Sequence, residues 1–581
     1  MNEVLENIVS ILEGSRSLLP SLLPIFFTIS FLLILISFVP SFRNIRKQFN
    51  IKRITWVMLA LIVVLGFFLR ILTPVYLATY NDEFIHIDTG KNIVSYGKAE
   101  MCTAGYRNLE NKNCQPFNEP AGFPYVVGMF FLFLGVSLAS AYAVNLIIGS
   151  LLSVVVFLFC FLLFKSEKTG LYSAFVVSIL PLYILLSRNI EPDTVSAFFI
   201  LLTFVGFILF FKIRDLKTGI FATSILAFSI PIKQEGILLI PLVLLLSTLF
   251  LNLENLKRAI KNYKHWLLFA LLIVLITPHI FHLSLELYPP LFYGKTTATG
   301  VGGKLLNLGN LSMSAPVLNN VMYGSFYPIL INLFIVIGLI HAFKKHRKEW
   351  IFLILFFSFY MFVYLTYSGR ILEKYLITGL IPLLCFAGVG MYVVERFAAS
   401  RLHGTARKKM INFAIPLILV LVLFLWSVPY FYDVREGLKP LKVNHGFQRG
   451  AIEYKEIEAI NSMGEKIDPS CYVVAEKPFL FSATDLKIIR TNSVLSNPKL
   501  VSDAIKNKGC ILYFKDLYCT DFYSLGSRCG IKNESFAGCE ELRQNITSNC
   551  KKMEEQFKLQ SYLNYEFGKF NFTVYNISLR S

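Results

Sequence analysis

The chain has 581 residues, of which 55% are hydrophobic and only 16% are charged, and its net charge is +19. Soluble globular proteins carry about 25% charged residues, so this composition excludes an ordinary soluble protein. A basic chain can bind nucleic acid, but the sequence contains no arginine-rich tail or nucleic-acid motif, and most of the excess charge lies in short loops. We therefore expect a membrane protein without a nucleic-acid partner.

Apolar runs recur along most of the chain, and most are close to the roughly 17–25 residues that cross a hydrocarbon core about 30 Å thick. They predict a multi-spanning α-helical membrane protein of about 12 spans, surrounded by membrane lipids. The predicted spans are residues 22–40, 55–75, 139–164, 170–187, 194–211, 219–232, 236–253, 266–283, 327–343, 351–366, 375–395 and 411–430.

Six connecting loops are basic, and they alternate with loops that carry little charge. Positively charged loops stay on the cytoplasmic side, so the N-terminus and the residues after 430 are expected outside. The basic residues are Arg43, Arg46, Lys47, Lys52 and Arg53; Lys165 and Lys168; Lys212, Arg214 and Lys217; Lys257, Arg258, Lys261 and Lys264; Lys344, Lys345, Arg347 and Lys348; and Arg396, Arg401, Arg407, Lys408 and Lys409.

Residues 121–137 are apolar enough to span, but a crossing there would turn every later basic loop outward. We therefore predict a juxtamembrane or re-entrant helix that packs against protein. These predictions divide the chain into three parts. An additional N-terminal span and its basic loop occupy residues 1–54. A transmembrane module occupies 55–430, with an external loop at 76–120, and a domain outside the membrane occupies 431–581.

The C-terminal domain is predicted to be α+β. Its β-like runs are CYVVAEK, CILYFKD and FNFTVYNIS, and its helical pattern is AIEYKEIEAINSM. Even numbers of external cysteines suit disulfides in an oxidising compartment, and we predict a Cys102–Cys114 bridge. The other six external cysteines leave fifteen pairings open; they are Cys471, Cys510, Cys519, Cys529, Cys539 and Cys550. Sequons at Asn533, Asn545, Asn571 and Asn576 lie in the same domain.

Charged side chains at the external membrane surface are candidates for function, because they are costly to keep there. Asp82 and Glu83 follow the second span in YNDEFIHID, with His86 and Asp88 one turn further on. A carboxylate pair can act as a general base or hold a divalent cation. The alternative is a solvated helix N-terminus, where the helix dipole favours acids.

Three later external turns also carry charge. They hold Arg188, Glu191 and Asp193 in SRNIEPD; Lys233 and Glu235 in PIKQEG; and Arg370, Glu373, Lys374 and Tyr375 in SGRILEKYL. The alternative to a functional role is helix capping for the first turn and an ion pair at a helix end for the third. By topology all four sites share one face, where a shallow cleft would suit a phosphate-bearing lipid and a hydroxyl acceptor.

In this order and topology, residues 55–395 resemble the GT-C glycosyltransferases, with closest similarity to the protein O-mannosyltransferase and aminoarabinose transferase group. The motifs are the acidic pair Asp82-Glu83, the tract FNEPAGFPYVVGMFFLFLG, the acid of RNIEPD, the turn PIKQEGILLIP, and EKYLITGLIP, which is similar to RYLLPLLP. The sequence departs from the group where Lys374 replaces an arginine and where the span 22–40 is additional. It lacks the WWD signature of oligosaccharyltransferases, which argues against transfer of a whole oligosaccharide.

The resemblance implies a single-sugar transfer from a polyprenyl- or dolichyl-phosphate donor to a glycan, lipid or protein acceptor, generally with inversion. It implies that Asp82 is the catalytic base, assisted by Glu83, and that Lys233, Arg370 and Lys374 bind the lipid phosphate. Arg188 and Asp193 complete the predicted donor site. No cofactor is required by the pattern, although Asp82 and Asp193 could hold a divalent metal.

Two other functions fit an integral membrane protein. A lipid-linked-saccharide flippase or transporter would carry charge at the bilayer midplane and paired broken helices, whereas the predicted spans are nearly free of charge at their centres. A non-catalytic cell-surface assembly subunit would depend on the C-terminal domain instead. Alanine at Asp82 distinguishes these readings, because an enzyme would lose turnover and keep its fold.

The topology makes a direct prediction. A tag inserted in the loop 254–265 should be shielded in intact cells, because this loop is basic and is predicted to be cytoplasmic. A tag after residue 430 should be accessible to an impermeant reagent, because twelve spans return the chain to the side of its N-terminus, which is predicted to lie outside. Equal accessibility of the two tags would contradict the predicted number of spans.

Overall fold

The structure is a computed structural model. It describes residues 18–49, 51–73, 75, 82–117, 119–250, 262–287, 329–366, 373–401, 414–429, 454–506, 510–515, 519, 539–568 and 570–580. Helices dominate up to residue 429, and a mixed sheet with helices follows.

The helices of the first part begin and end close to the predicted apolar runs. They are α1 (Leu19–Phe49), α2 (Arg53–Leu72), α3 (Asp82–Tyr96), α4 (Gly122–Leu134), α5 (Leu138–Phe164), α6 (Glu167–Ile179), α7 (Pro181–Leu186), α8 (Asp193–Ile213), α9 (Leu216–Ser229), α10 (Leu239–Phe250), α11 (Tyr263–Leu287), α12 (Ile329–Lys345), α13 (Arg347–Thr366), α14 (Glu373–Arg401) and α15 (Ala414–Pro429). Within the described residues, α1, α2, α5, α8, α11 and α14 each contain a stretch long and apolar enough to cross a membrane. The protein is thus a multi-pass helical membrane protein, and the count of twelve spans stays a prediction.

Two predicted spans are interrupted near a polar turn. The run 170–187 is divided into α6 and α7 at Leu180, whose backbone is extended. Pro181 explains the break, because a proline disfavours helical geometry in the residue before it. The run 219–232 ends as a 3-10 turn at Ile230–Ile232, and a second 3-10 turn at Gln234–Leu238 leads into α10.

The apolar segment 121–137 forms the short helix α4. Its 13 residues span about 20 Å, less than the hydrocarbon core, which agrees with the predicted juxtamembrane helix. Its first turns are buried, and it packs on α3 and α5. A Cβ at Gly122 would lie 2.6 Å from the carbonyl oxygen of Pro231. Only a glycine therefore allows α4 to approach the 3-10 turn this closely.

The C-terminal part contains a five-stranded sheet with the strand order β4-β3-β5-β7-β6. The strands are β3 (Tyr472–Ala475), β4 (Lys487–Arg490), β5 (Ile511–Phe514), β6 (Phe557–Phe567) and β7 (Phe570–Leu579); β1 (Glu100–Met101) and β2 (Gln115–Pro116) pair in the first external loop. Strand β3 is parallel to β4 and β5, and β7 is antiparallel to β5 and β6. The predicted strands β3, β5 and β7 are confirmed; β4 and β6 were not predicted.

Four helices accompany this sheet in the described residues: α16 (Tyr454–Gly464), α17 (Thr491–Ser496), α18 (Lys499–Lys506) and α19 (Cys539–Gln556). The first of them is the predicted helix AIEYKEIEAINSM. The sheet packs on the loop 76–120, which is predicted to be external, where the Tyr106 amide donates to the carbonyl of Ile488 at 2.6 Å. An ion pair between Lys91 Nζ and Asp485 Oδ1 at 2.8 Å ties α3 to the same region.

The predicted Cys102–Cys114 disulfide is present, with Cα atoms 4.1 Å apart. Two further bridges, which the sequence left open, join Cys471 to Cys510 and Cys519 to Cys550. The side chains of Cys529 and Cys539 lie outside the described residues. Among the described cysteines, the two in predicted spans are free and buried; they are Cys160 and Cys385.

These bridges predict the outcome of thiol labelling. Unreduced, denatured protein should react with an alkylating reagent at Cys160 and Cys385, and peptide mapping should recover the pairs 102–114, 471–510 and 519–550. Reduction before labelling is the positive control. Alkylation of Cys471 or Cys550 without reduction would show that the C-terminal bridges do not form.

Candidate active site

Three of the predicted external turns meet in the structure. Lys233 Nζ lies 2.8 Å from Asp193 Oδ1 and 2.5 Å from Glu235 Oε1. Lys374 Nζ lies 3.1 Å from Glu191 Oε2. We call these five side chains the ionic cluster. Because Glu191 and Asp193 belong to one turn, the cluster joins that turn to the Lys233 turn and to the start of α14.

Lys233 occupies a tight turn between two 3-10 helices. The amide of Gly236 donates to the Lys233 carbonyl at 2.8 Å, and a Cβ at Gly236 would lie 2.3 Å from the carbonyl oxygen of Ile230. A glycine is therefore needed to close the turn. The Lys233 side chain is 12% exposed. Burial opposes its charge, but the bonds to Asp193 and Glu235 outweigh burial and raise the pKa of Lys233 above its usual value.

Two tyrosines hold the same ammonium group from another side. Lys233 Nζ lies 4.9 Å from the ring centroid of Tyr375 and 5.5 Å from that of Tyr364, and the two rings stack at 5.7 Å. Cations are attracted to aromatic faces at such distances. Tyr364 also donates its hydroxyl to Glu235 Oε1 at 2.6 Å. The lysine and one of its carboxylates are therefore fixed by α13 and α14.

Helix capping does not account for Asp193. It is the first residue of α8, and Pro192 at the cap position has no side-chain cap bond. Its Oδ1 pairs with Lys233, while its Oδ2 is buried and has no hydrogen-bond partner in the described part of the chain. A buried carboxylate oxygen of this kind costs free energy unless a donor reaches it. Asp193 is therefore suited to accept a hydrogen bond from a ligand.

The charges of the ionic cluster are nearly balanced, since three carboxylates face two lysines. A phosphate would therefore gain from further positive charge nearby. Arg188 lies in the Glu191–Asp193 turn, and its Nε donates to the carbonyl of Thr73 at 2.9 Å. The predicted phosphate ligand Arg370 lies outside the described residues, as does the Glu373 side chain.

The acidic pair of the first loop opens helix α3. The helix begins at Asp82, whose side chain lies outside the described residues. Glu83 is buried and accepts the hydroxyl of Tyr142 at 3.2 Å. Three residues later on α5, Asn145 donates its amide to the backbone carbonyls of Asn189 and Glu191, both at 2.8 Å. One face of α5 thus links the acidic pair to the Glu191–Asp193 turn.

His86 and Asp88 have different roles one turn along α3. His86 is buried edge-on against Phe123, and burial followed by the charge of Lys374 lowers the pKa of His86 to about 3. The imidazole is therefore neutral near the ionic cluster. Asp88 accepts the backbone amide of Cys102, so it anchors the disulfide loop. Burial raises the pKa of Asp88, against the opposing effect of that hydrogen bond.

The possible metal site stays a prediction. Among the residues described, no group of three or more His, Cys, Asp or Glu side chains is placed to hold a metal ion. Asp193, one of the two predicted ligands, is bound to Lys233, and the other, Asp82, has no described side chain.

Sequence reasoning missed several polar side chains in the helices around the site. They are Arg70, Tyr142, Asn145, Tyr360 and Tyr364, all within apolar helices and all buried. The signal that identifies such residues is the cost of placing a polar group in a membrane helix without a partner.

Comparisons with known proteins agree with this arrangement. The sequence family described as dolichyl-phosphate-mannose-protein mannosyltransferase matches residues 118–282, which include two of the three turns. The structure of ArnT from Cupriavidus metallidurans bound to undecaprenyl phosphate aligns with a TM-score of 0.52 and 12% identity, covering 90% of this chain and 98% of that one. The resemblance to the GT-C glycosyltransferases is confirmed.

The likeness in fold to ArnT covers more of the chain than the segment that the family matches. The oligosaccharyltransferase AglB from Archaeoglobus fulgidus, in complex with an inhibitory peptide and a dolichol-phosphate, aligns with a TM-score of 0.48 and 12% identity, covering 91% of this chain and 74% of that one. No match was found among curated protein sequences.

The ionic cluster predicts a stability effect. Lys233→Met would leave two buried carboxylates unpaired and should destabilise the protein by about 3–5 kcal/mol, seen as a lower melting temperature in detergent. Adding Asp193→Asn and Glu235→Gln should restore part of the loss.

Lys91→Met is the matched control, because Lys91 is as buried as Lys233 but its partner Asp485 is 89% exposed. This substitution leaves no carboxylate buried without a partner and should destabilise the protein less. Equal melting temperatures for the Lys233 and Lys91 variants would show that the cluster does not form.

Proposed function

We propose that this protein is an integral membrane glycosyltransferase that moves a single sugar from a polyprenyl- or dolichyl-phosphate donor to an acceptor on the extracytoplasmic face, with inversion at the anomeric centre. The observation that carries the proposal is the ionic cluster, which gathers two lysines and which one face of α5 links to Glu83 of the acidic pair. ArnT, which has this fold, was solved with undecaprenyl phosphate bound. That ligand supports a lipid-phosphate donor here.

The lysines retain donors for a phosphate. A lysine ammonium group has three N–H donors. Lys233 uses two of them on Asp193 and Glu235, which leaves one for a phosphate oxygen, and Lys374 has further donors beside its pair with Glu191. In the proposed site Arg188 and Arg370 add positive charge, and Asp193 Oδ2 accepts a hydroxyl of the bound donor.

The proposed reaction uses these residues as follows. Asp82 takes the proton of the acceptor hydroxyl, and the acceptor oxygen forms a bond to the anomeric carbon. The bond from that carbon to the phosphate oxygen breaks, and the lipid phosphate leaves with the electron pair. Its added negative charge is stabilised by Lys233 and Lys374, which are already fixed before the reaction. Glu83, held by Tyr142, positions the acceptor or orients a basic residue.

The C-terminal residues 431–581 belong on the same side as the site in this proposal. Disulfides persist in oxidising compartments, and two of the three bridges lie in this region while the third lies in the first external loop. The sheet also contacts that loop through Tyr106 and Ile488. We propose that the domain covers the acceptor side of the site.

The catalytic assignment has a direct test in vesicles that contain the purified protein and a panel of polyprenyl-phosphate sugars. Asp82→Asn keeps the side-chain shape but removes the base, so turnover should fall by about 10²–10⁴-fold. Lys233→Ala should weaken both donor binding and turnover, since the phosphate is bound before the reaction and more charged during it.

Asp503→Asn is the matched control, because this aspartate is exposed on α18, away from the ionic cluster. It should leave turnover at the wild-type rate. A wild-type rate from Asp82→Asn with a donor that the wild-type protein uses would refute the assignment of the base.

A further inference from the structure

Arg70 is a fully buried arginine in the last turn of α2. No acidic side chain pairs with it among the described residues, and its Nη2 has no hydrogen-bond partner there. A buried charge without a counter-ion is expensive, and within membrane segments such residues mark functional positions. The guanidinium group therefore needs an explanation beyond packing.

The hydrogen bonds of Arg70 connect α2 to the turn that follows α7. Its Nε donates to Ser187 Oγ at 3.1 Å, and its Nη1 donates to the carbonyls of Gly66 at 2.9 Å and Ser178 at 3.4 Å. Ser187 is the C-cap of α7 and donates its own hydroxyl to the Tyr183 carbonyl at 2.6 Å. Arg70 is thus bound to the first residue of the turn that leads to Glu191 and Asp193.

A second arginine makes the reverse connection. Arg188, the residue after Ser187, donates its Nε to the carbonyl of Thr73 at 2.9 Å. Thr73 is the C-cap of α2. One arginine from each element therefore binds the other element, and the pair fixes the end of α2 against the start of the turn.

The two arginines matter because proposed site residues follow the end of α2 and the turn after α7 in the chain. In the sequence, Asp82 follows Thr73 by nine positions. On the other side, the turn continues to Glu191 and Asp193, which bind Lys374 and Lys233. The pair thus anchors Thr73, nine positions before the proposed base, to the turn that holds the proposed phosphate ligands.

We propose that Arg70 is a positioning residue for the transfer reaction, which acts by holding the Asp82 side of the site in register with the phosphate side. This inference rests on the proposed function. Reacting groups must be held within a fraction of an ångström, and a displacement of about 1 Å can cost about 10²-fold in rate. Arg70 touches neither donor nor acceptor in this role.

The experiment is a double-mutant cycle in the vesicle assay. Arg70→Gln should lower kcat by about 10–100-fold and change the KM of the donor by less than about threefold, because the phosphate ligands remain. In the Asp82→Asn background the same change should cost almost nothing more, since a misplaced base no longer matters.

The matched control is Lys212→Gln. Lys212 is a partly buried cation that also donates to a backbone carbonyl, that of Leu162 at 2.9 Å, but it lies at the opposite end of α8 from Asp193. Its effect on kcat should be small and independent of Asp82. If Arg70→Gln does not fold, Ser187→Ala removes the acceptor of Nε and should give a smaller loss of kcat with the same dependence on Asp82.

A purely structural role would lower the amount of folded protein and give losses that multiply with Asp82→Asn. Multiplying losses, or wild-type kcat in both Arg70→Gln and Ser187→Ala, would overturn the positioning role and leave the proposed function intact. A wild-type rate from Asp82→Asn alone would overturn both the positioning role and the assignment of Asp82 as the base.

Discussion

A lysine stays charged inside a helical membrane protein only where other groups of the protein replace its water. Lys233 meets this condition through the carboxylates of Asp193 and Glu235 and the aromatic faces of Tyr364 and Tyr375. These partners come from α8, the Lys233 turn, α13 and α14. Removal of Lys233 would leave both carboxylates buried without their cation, so the ionic cluster ties these elements together.

Glycine and proline residues allow the close backbone contacts and helix interruptions near the ionic cluster. The Lys233 turn closes over Gly236, where a side chain would collide with Ile230, and Gly122 lets α4 lie against the adjacent Pro231. Pro181 interrupts the predicted span 170–187 and begins the short helix α7, whose C-cap residue Ser187 binds Arg70. The helices are therefore interrupted at the positions where the polar turns lie.

Much of this could be predicted from sequence. Hydrophobicity located the apolar helices because the bilayer imposes their length, and the scarcity of charge in the predicted external turns made Lys233 and Asp193 candidates. Their partners could not be predicted, since the bond from Tyr364 to Glu235 depends on how helices distant in sequence pack. Arg70 could have been predicted as a functional residue, because a charge within a predicted span is itself a signal of function, but it was not.

The measurement that tests the phosphate site most directly is binding of undecaprenyl phosphate to the purified protein by native mass spectrometry, with the variants Lys233→Gln and Lys374→Gln and the control Lys212→Gln. Each lost charge-assisted hydrogen bond contributes about 1.5–3 kcal/mol, so the two cluster variants should bind at least about tenfold more weakly, while the control binds like the wild type. Equal affinity across all four proteins would show that the ionic cluster is not where the lipid phosphate binds.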